Sequence, residues 1–347
     1  MKSKLAPALR ALATLVCATT VFSLAFAADL VVQDKQQSKD GAPKISEGEQ
    51  QAINKVSAAS GVAEKLKASA DYLKKYGKSP MRPRVAGHVA DEIVKVTDPA
   101  QRISLIENFN KTFNQPGEAD LVKSTLIDAL ITSNKFDEAI NEASKYLEKN
   151  PEDVIVLTQL AWAGANQAQK QGQSGQAVNP ASLQKASQAG AKAVELLEAD
   201  KKPEKVDATY WNNFRNSWLP RLYQAQGMIL FFGNDKTGAK DKFEKAVGLD
   251  PYDPPTLLML VSITSDEYTQ IGERYQAEKK QALLDQALQK MDELIDWLAR
   301  TAAATEGNAQ YQALNGQAME QLKSYYAYRH EGKTDGMKEL VQKYKKP

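Results

Sequence analysis

The sequence predicts an all-α protein, and three observations carry that expectation. From Val62 onward, apolar residues recur at helical spacing and keep doing so through the rest of the chain. No segment sustains the apolar–polar alternation of a strand with bounding turns. Pro151 and Pro251 punctuate the periodic stretches, as expected where one helical pair ends and the next begins.

In chain order, residues 1–27 read as a cleaved signal peptide. Lys2, Lys4 and Arg10 make a positive start, Ala11 to Leu24 is an apolar run, and Ala25-Phe26-Ala27 supplies the small-x-small pattern of signal peptidase. Cleavage is expected after Ala27, with Ala28 the alternative. The apolar run is shorter than the roughly 20 residues of a transmembrane helix, so no membrane span is expected after cleavage. Cys17 is the chain's one cysteine, and it lies inside that run. The mature chain then holds no disulfide, thiolate nucleophile or cysteine metal site. Export of a cysteine-free chain fits a bacterial periplasm, with release from the cell as the alternative.

Residues 28–57 read as a flexible polar leader turning helical near Glu47. Residues 58–119 follow as N-terminal helices. Val62, Leu66, Ala70 and Leu73 make the first stripe, which stops at Gly77-Lys78-Ser79-Pro80. Val85 to Val96 forms the second helix. Asp98 and Pro99 open the third as N-cap and first helical residue, and Ile103, Ile106 and Phe109 follow. Residues 120–255 contain three hairpins. The first places Leu126 and Leu130 on one helix and Ala139, Ala143, Tyr146 and the closing Pro151 on the other. The second runs from Val154, with a connecting loop from Gln171 to Pro180 and a return helix from Ala181 to Ala199. The third runs from Pro220 to Pro251. Residues 256–347 are a C-terminal helical segment, with helices over Pro255–Gln276 and Leu283–Arg300.

In the third hairpin, Tyr223, Gly227, Leu230, Ala239, Phe243, Ala246 and Pro251 stand at the spacing of two antiparallel helices that touch at a small residue. This pattern resembles the tetratricopeptide repeat, or TPR, family. The resemblance covers about Asp120 to Pro255, with one good and two degenerate units. In the first, Ala143 and Tyr146 exchange the usual bulky and small positions. The family implies a solenoid of stacked hairpins that binds a partner on its concave face. By that analogy the groove residues are Trp162 and Asn166 of the second unit and Arg221, Gln224, Met228 and Phe231 of the third. Lys and Asn residues that clamp a peptide carboxylate in some relatives are only partly matched by Arg221 and Asn166, so that specificity does not carry over.

Composition excludes little chemistry but offers little. Without Lys2, Lys4 and Arg10, basic residues fall from 45 to 42 against 43 acidic ones, which gives no nucleic-acid-binding excess. The two histidines, His88 and His330, lack ligand-spaced partners, and no metal or cofactor is expected. Gly172-Gln173-Ser174-Gly175 misses the nucleophile-elbow spacing, and Gly332-Lys333-Thr334 lacks the strand and first glycine of a phosphate loop. Gly332 reads instead as a helix C-cap before a turn and a new helix. Adjacent acids at Asp266-Glu267 and Asp292-Glu293 point in different directions on a helix. No catalytic residue is assigned. The expectation is a non-enzymatic adaptor of the cell envelope that holds a protein or peptide partner. The alternatives are a carbohydrate-binding or carbohydrate-active helical protein, marked by tryptophans exposed along a cleft, and a self-assembling structural protein.

Overall fold

The computed structural model describes residues 45–174, 179–204 and 206–346, and the signal-peptide and cleavage expectations lie outside them. Every regular element among the described residues is helical. In order these are α1 (Glu47–Ala58), α2 (Val62–Tyr76), α3 (Arg82–Val94), α4 (Pro99–Thr112), a 3-10 turn (Glu118–Val122), α5 (Lys123–Thr132), α6 (Phe136–Leu147), α7 (Val154–Ser174), α8 (Pro180–Glu198), α9 (Ala208–Phe232), α10 (Lys236–Leu249), α11 (Pro254–Glu278), α12 (Gln281–Thr305), α13 (Gln312–Arg329) and α14 (Met337–Lys343). Helix α1 occupies the end of the polar leader, and its N-cap Ser46 accepts a hydrogen bond from the Glu49 amide. Helix α4 opens as the sequence indicates, with the Asp98 carboxylate accepting from the Gln101 amide at 2.6 Å. Two expectations are corrected. Helix α7 continues through Gln171–Ser174, where a loop was expected: Gln171 and Gln173 are adequate helix formers, and Gly172, a poor one, is packed beneath the Phe232 ring. Pro220 lies inside α9 rather than at its start.

Described residues divide into two compact units, the first holding 45–167 and 179–212, the second 168–174 and 213–346. At the N-terminal end of the first, Tyr72, Ile93, Ile106, Phe109 and Phe113 form a fully enclosed core. Two buried ion pairs close its edges. Arg82 grips Glu118 through Nε at 2.6 Å and Nη2 at 2.8 Å, fixing α3 to the 3-10 turn. Arg102 donates to Asp128 at 2.6 Å and to the Val96 carbonyl at 2.7 Å, tying α4 to α5. The Arg82 hydrogen bonds hold the Glu118 carboxyl below the usual glutamate range, whereas burial pushes Asp128 up despite its arginine.

The hairpins α5/α6 and α9/α10 turn in the same way. In the first, Ser133 N bonds the Ala129 carbonyl, Asn134 N the Ile131 carbonyl, and Lys135 N the Leu130 carbonyl. In the second, Gly233 N bonds Ile229, Asn234 N bonds Phe231, and Asp235 N bonds Leu230 in the same pattern. Asn134 and Asn234 both take the left-handed conformation, at φ 57° and 69°, which asparagine tolerates better than most residues. The exits also agree. Asn150-Pro151-Glu152-Asp153 and Asp250-Pro251-Tyr252-Asp253 each place an aspartate that caps the next helix, Asp153 on the amides of Ile155 and Val156, and Asp253 on that of Thr256. These are helical hairpins in a repeat-like arrangement.

In the second unit the hairpins sort into two layers. Helices α9, α11 and α13 neighbour one another: Gln224 reaches Asp253 and Thr256, Leu258 touches Leu314, and the Tyr268 and Tyr325 rings meet edge-on at 5.9 Å. Helices α10, α12 and α14 form the other layer, with Lys240 of α10 bonded to Glu293 of α12 at 2.6 Å and Met337 and Val341 of α14 in the core with α12. The first unit shows the same sorting, since Gln159 of α7 approaches Ser124 of α5 and Ser182 of α8 bonds Asp137 of α6.

Candidate functional site

Each repeat-packing residue can be placed. Ala239, Phe243 and Ala246 of α10 are buried, as is Tyr223 of α9. A Cβ added to Gly227 would lie 2.6–2.9 Å from the Phe243 ring, so α9 approaches α10 only because Gly227 has no side chain. Leu230 is half-buried against the cluster around Phe243. In the first hairpin Ala139 and Ala143 are fully buried, and the bulk comes from Phe136 and Ile140. Tyr146 is half-buried and leaves the hairpin, donating its hydroxyl to Asp153 at 2.7 Å. The exchanged positions are therefore accommodated by sending the aromatic ring to the cap of α7. Pro151 and Pro251 are exposed in their turns.

The six groove candidates fall on two helices and in two units. Trp162 and Asn166, both half-buried, stand on α7 in the first unit. Arg221, Gln224, Met228 and Phe231 stand on α9 in the second, where helical spacing gathers them on one side. Arg221 is exposed, and its guanidinium lies over the Trp218 ring at 5.2 Å from the centroid. This cation–π contact orients the charge without removing it from solvent. Gln224 donates to Asp253 at 2.8 Å and to Thr256 at 2.9 Å, so it also fastens α9 to the start of α11. Burial raises the Asp253 carboxyl, while hydrogen bonds from Thr256 and the charge of Arg221 pull it down. Met228 and Phe231 are half-buried against the Phe243 cluster, and the Phe231 and Phe232 rings meet at right angles. Phe232 covers Gly172, where a Cβ would fall 2.1 Å from the ring. The face thus grades from an exposed cation at Arg221 to a half-covered aromatic edge at Phe231.

The tryptophans answer the sugar-cleft alternative in part. Trp211 is buried and donates its indole N–H to Asp200 at 2.6 Å, and Trp218 is buried beside Phe214. Neither is an open stacking platform.

The acidic pairs are engaged in ion pairs. Glu267 and Glu293 share Lys240 and Lys290 in a four-charge ring with distances of 2.6–2.8 Å, spanning α10, α11 and α12. Asp266 pairs with Lys236, and Asp292 with Arg329. A cleft of about 510 Å³ between α12, α13 and α14 is lined by Asp292, Asp296, Tyr326 and His330 among others. Asp296 there binds Arg300 and accepts from the Tyr344 hydroxyl, and His330 stacks on Tyr326 at 4.1 Å. His88 is half-buried on α3. Among the described residues no three His, Cys, Asp or Glu side chains converge as metal ligands, and no helix is long and apolar enough to cross a membrane. Gly332 stands at φ 87° in the turn between α13 and α14 and its amide bonds the Ala327 carbonyl at 2.7 Å, but the C-cap expected at this glycine is His330, two residues earlier.

Sequence reasoning missed the helix-capping aspartates and the double duty of Gln224. The spacing of Asp153 and Asp253, each two residues after a proline, was the available signal. No family model and no curated protein matches the chain.

Proposed function

We propose that this chain is a non-enzymatic, TPR-like scaffold of the cell envelope that holds a protein or peptide segment on the α9 face. The observation that carries the reading is Arg221: an exposed guanidinium, oriented by Trp218, on the same side of the helix as Gln224, Met228 and Phe231. An aromatic edge beside one directed cation suits a segment with an apolar anchor and a carboxylate or carbonyl acceptor. Support for export comes from the N-terminal residues Lys2, Lys4, Arg10 and Ala25–Ala27, and the mature chain is proposed to begin at Ala28 and to reside in the periplasm.

Affinity capture from envelope extract, comparing wild type with Arg221→Glu, tests the reading. Arg221 is exposed, so the variant should match wild type in circular dichroism and melting. A partner retained by wild type and lost from the variant is the expected result. Equal capture by both would remove α9 from the binding site. Mass determination of the exported chain's first residue checks the localisation separately.

A further inference from the structure

The α9 face leaves both an apolar strip and a charge uncovered. Met228 and Phe231 of α9 and Met259 of α11 all pack on the Phe243 cluster, yet each stays only half-buried. Beside them Arg221 is exposed over Trp218 and forms no ion pair among the described residues. Asp253, whose charge it feels, is bonded to Gln224 and Thr256 instead. The other end of the face is neutral, because Lys236 and Asp266 pair there at 2.6 Å. An occupant is therefore directed, apolar toward Phe231 and acidic at Arg221. Arg221 and Phe231 are ten residues apart on α9, or about 15 Å.

The chain carries a segment of that pattern. Residues 28–44 precede the described residues, and they are polar except at one place. Leu30, Val31 and Val32 are their only large apolar side chains, and Asp34 follows two positions later. Three such side chains in a polar leader have nothing within it to pack on. The two valines favour an extended backbone, in which Leu30 and Asp34 stand about 13 Å apart. That spacing matches the distance from the aromatic edge to the cation.

We propose that Leu30–Asp34 of the mature chain occupies the α9 face of its own molecule, with Asp34 on Arg221 and Leu30, Val31 and Val32 over Met228, Phe231 and Met259. The occupancy rests on the reading of α9 as the binding face and adds a regulation to it. The tether of eleven residues from Asp34 to Ile45 reaches about 36 Å and holds the segment at an effective concentration near millimolar within that radius. A partner must displace it, so the partner's apparent affinity is reduced by the fraction of faces that stand open. The partner is then a segment with the same order, apolar side chains followed by an acid.

Val31→Cys/Met228→Cys in the mature chain tests this, since the sequence's own Cys17 lies in the expected signal peptide. On oxidation of a dilute sample, a disulfide within single chains should form at least about tenfold faster than in the control Ser38→Cys/Met228→Cys. Adding Arg221→Glu should abolish that advantage, and adding Asp34→Arg to it should restore the advantage. Equal rates for the two cysteine pairs, or a disulfide formed only between chains, would overturn the proposal. If circular dichroism shows that Met228→Cys disturbs the fold, hydrogen exchange on the chain without cysteines decides. Amides of residues 30–34 should exchange at least about tenfold more slowly than in Arg221→Glu, and equal exchange would overturn the proposal. Equal exchange with a partner still lost from Arg221→Glu would remove the leader as occupant and leave α9 as the binding face. A partner captured equally by wild type and Arg221→Glu would remove the face itself.

Discussion

The hairpins α5/α6 and α9/α10 share a turn and an exit but fill their interiors differently. Both turn through a left-handed asparagine with one hydrogen-bond frame, and both leave through a proline followed by a capping aspartate. In α9/α10 the interior is a large ring in a glycine notch, Phe243 against Gly227. In α5/α6 the corresponding alanines are buried, the filling is aliphatic, and the aromatic Tyr146 is spent on the next helix's cap. The backbone frame is thus the invariant of the repeat, and the packing that fills it varies. Side-chain volume can be redistributed across a helical interface, whereas a turn with its own hydrogen bonds cannot be redistributed in the same way.

Breaking the ring-in-notch packing should have the largest effect. Phe243→Ala is expected to cost about 3–5 kcal/mol, because the ring is fully enclosed and its site cannot collapse onto a glycine. Chemical denaturation measures it. A loss near 1 kcal/mol would mean that α9 and α10 do not depend on this contact. Gly227→Ala should cost about 1–3 kcal/mol by overpacking against the same ring. If it stabilises the protein through helix propensity, the close approach is absent. Tyr146→Phe in the other hairpin removes one hydrogen bond and should cost about 1 kcal/mol.

Charge sharpens the same contrast. The Lys123 hydrogen bond holds Glu142 of α6 below the usual glutamate range, while partial desolvation raises Glu244 of α10, which is still exposed. The Glu142 contribution is complete above the ordinary value of 4.5 and fades as pH falls through its lowered value. Glu244 works in reverse, penalising the fold at neutral pH and releasing that penalty as pH falls through its raised value. At pH 7, Glu142→Gln should therefore lower the melting temperature slightly and Glu244→Gln raise it slightly. The two shifts having the same sign would contradict the assignment.

Much of this is legible in the sequence, but unevenly. The Gly227–Phe243 contact is readable because a glycine and an aromatic at fixed spacing have few other uses in a helical pair. Asp98-Pro99 is readable because capping is local chemistry. Pro220 misleads because a proline is favoured at a helix start and disfavoured in a helix interior. It is tolerated inside α9, where it leaves the Asn216 carbonyl without its helical donor at a cost of about 3 kcal/mol. Burial of Trp218, Leu219, Leu222 and Tyr223 around it, each contributing roughly 1.5–3 kcal/mol, offsets that loss. Gln224 is beyond sequence reading, because its partners Asp253 and Thr256 come near only once α9 and α11 pack. The half-burial of Met228 and Phe231 is tertiary in the same sense: spacing assigns them to a face, and only packing decides how much of that face is open.

The shared turn frame is tested most directly at Lys135. The equivalent residue, Asp235, caps its helix by accepting from the Gly238 amide at 2.9 Å, whereas Lys135 provides no side-chain cap. Its exposed pair with Glu138, at 3.3 Å, contributes little. If the two turns are one structure, Lys135→Asp should install the missing cap on the Glu138 amide and stabilise the protein by roughly 0.5–1 kcal/mol in a thermal melt. A variant that melts lower than wild type would show that the turns differ and that the hairpins are not copies of one unit.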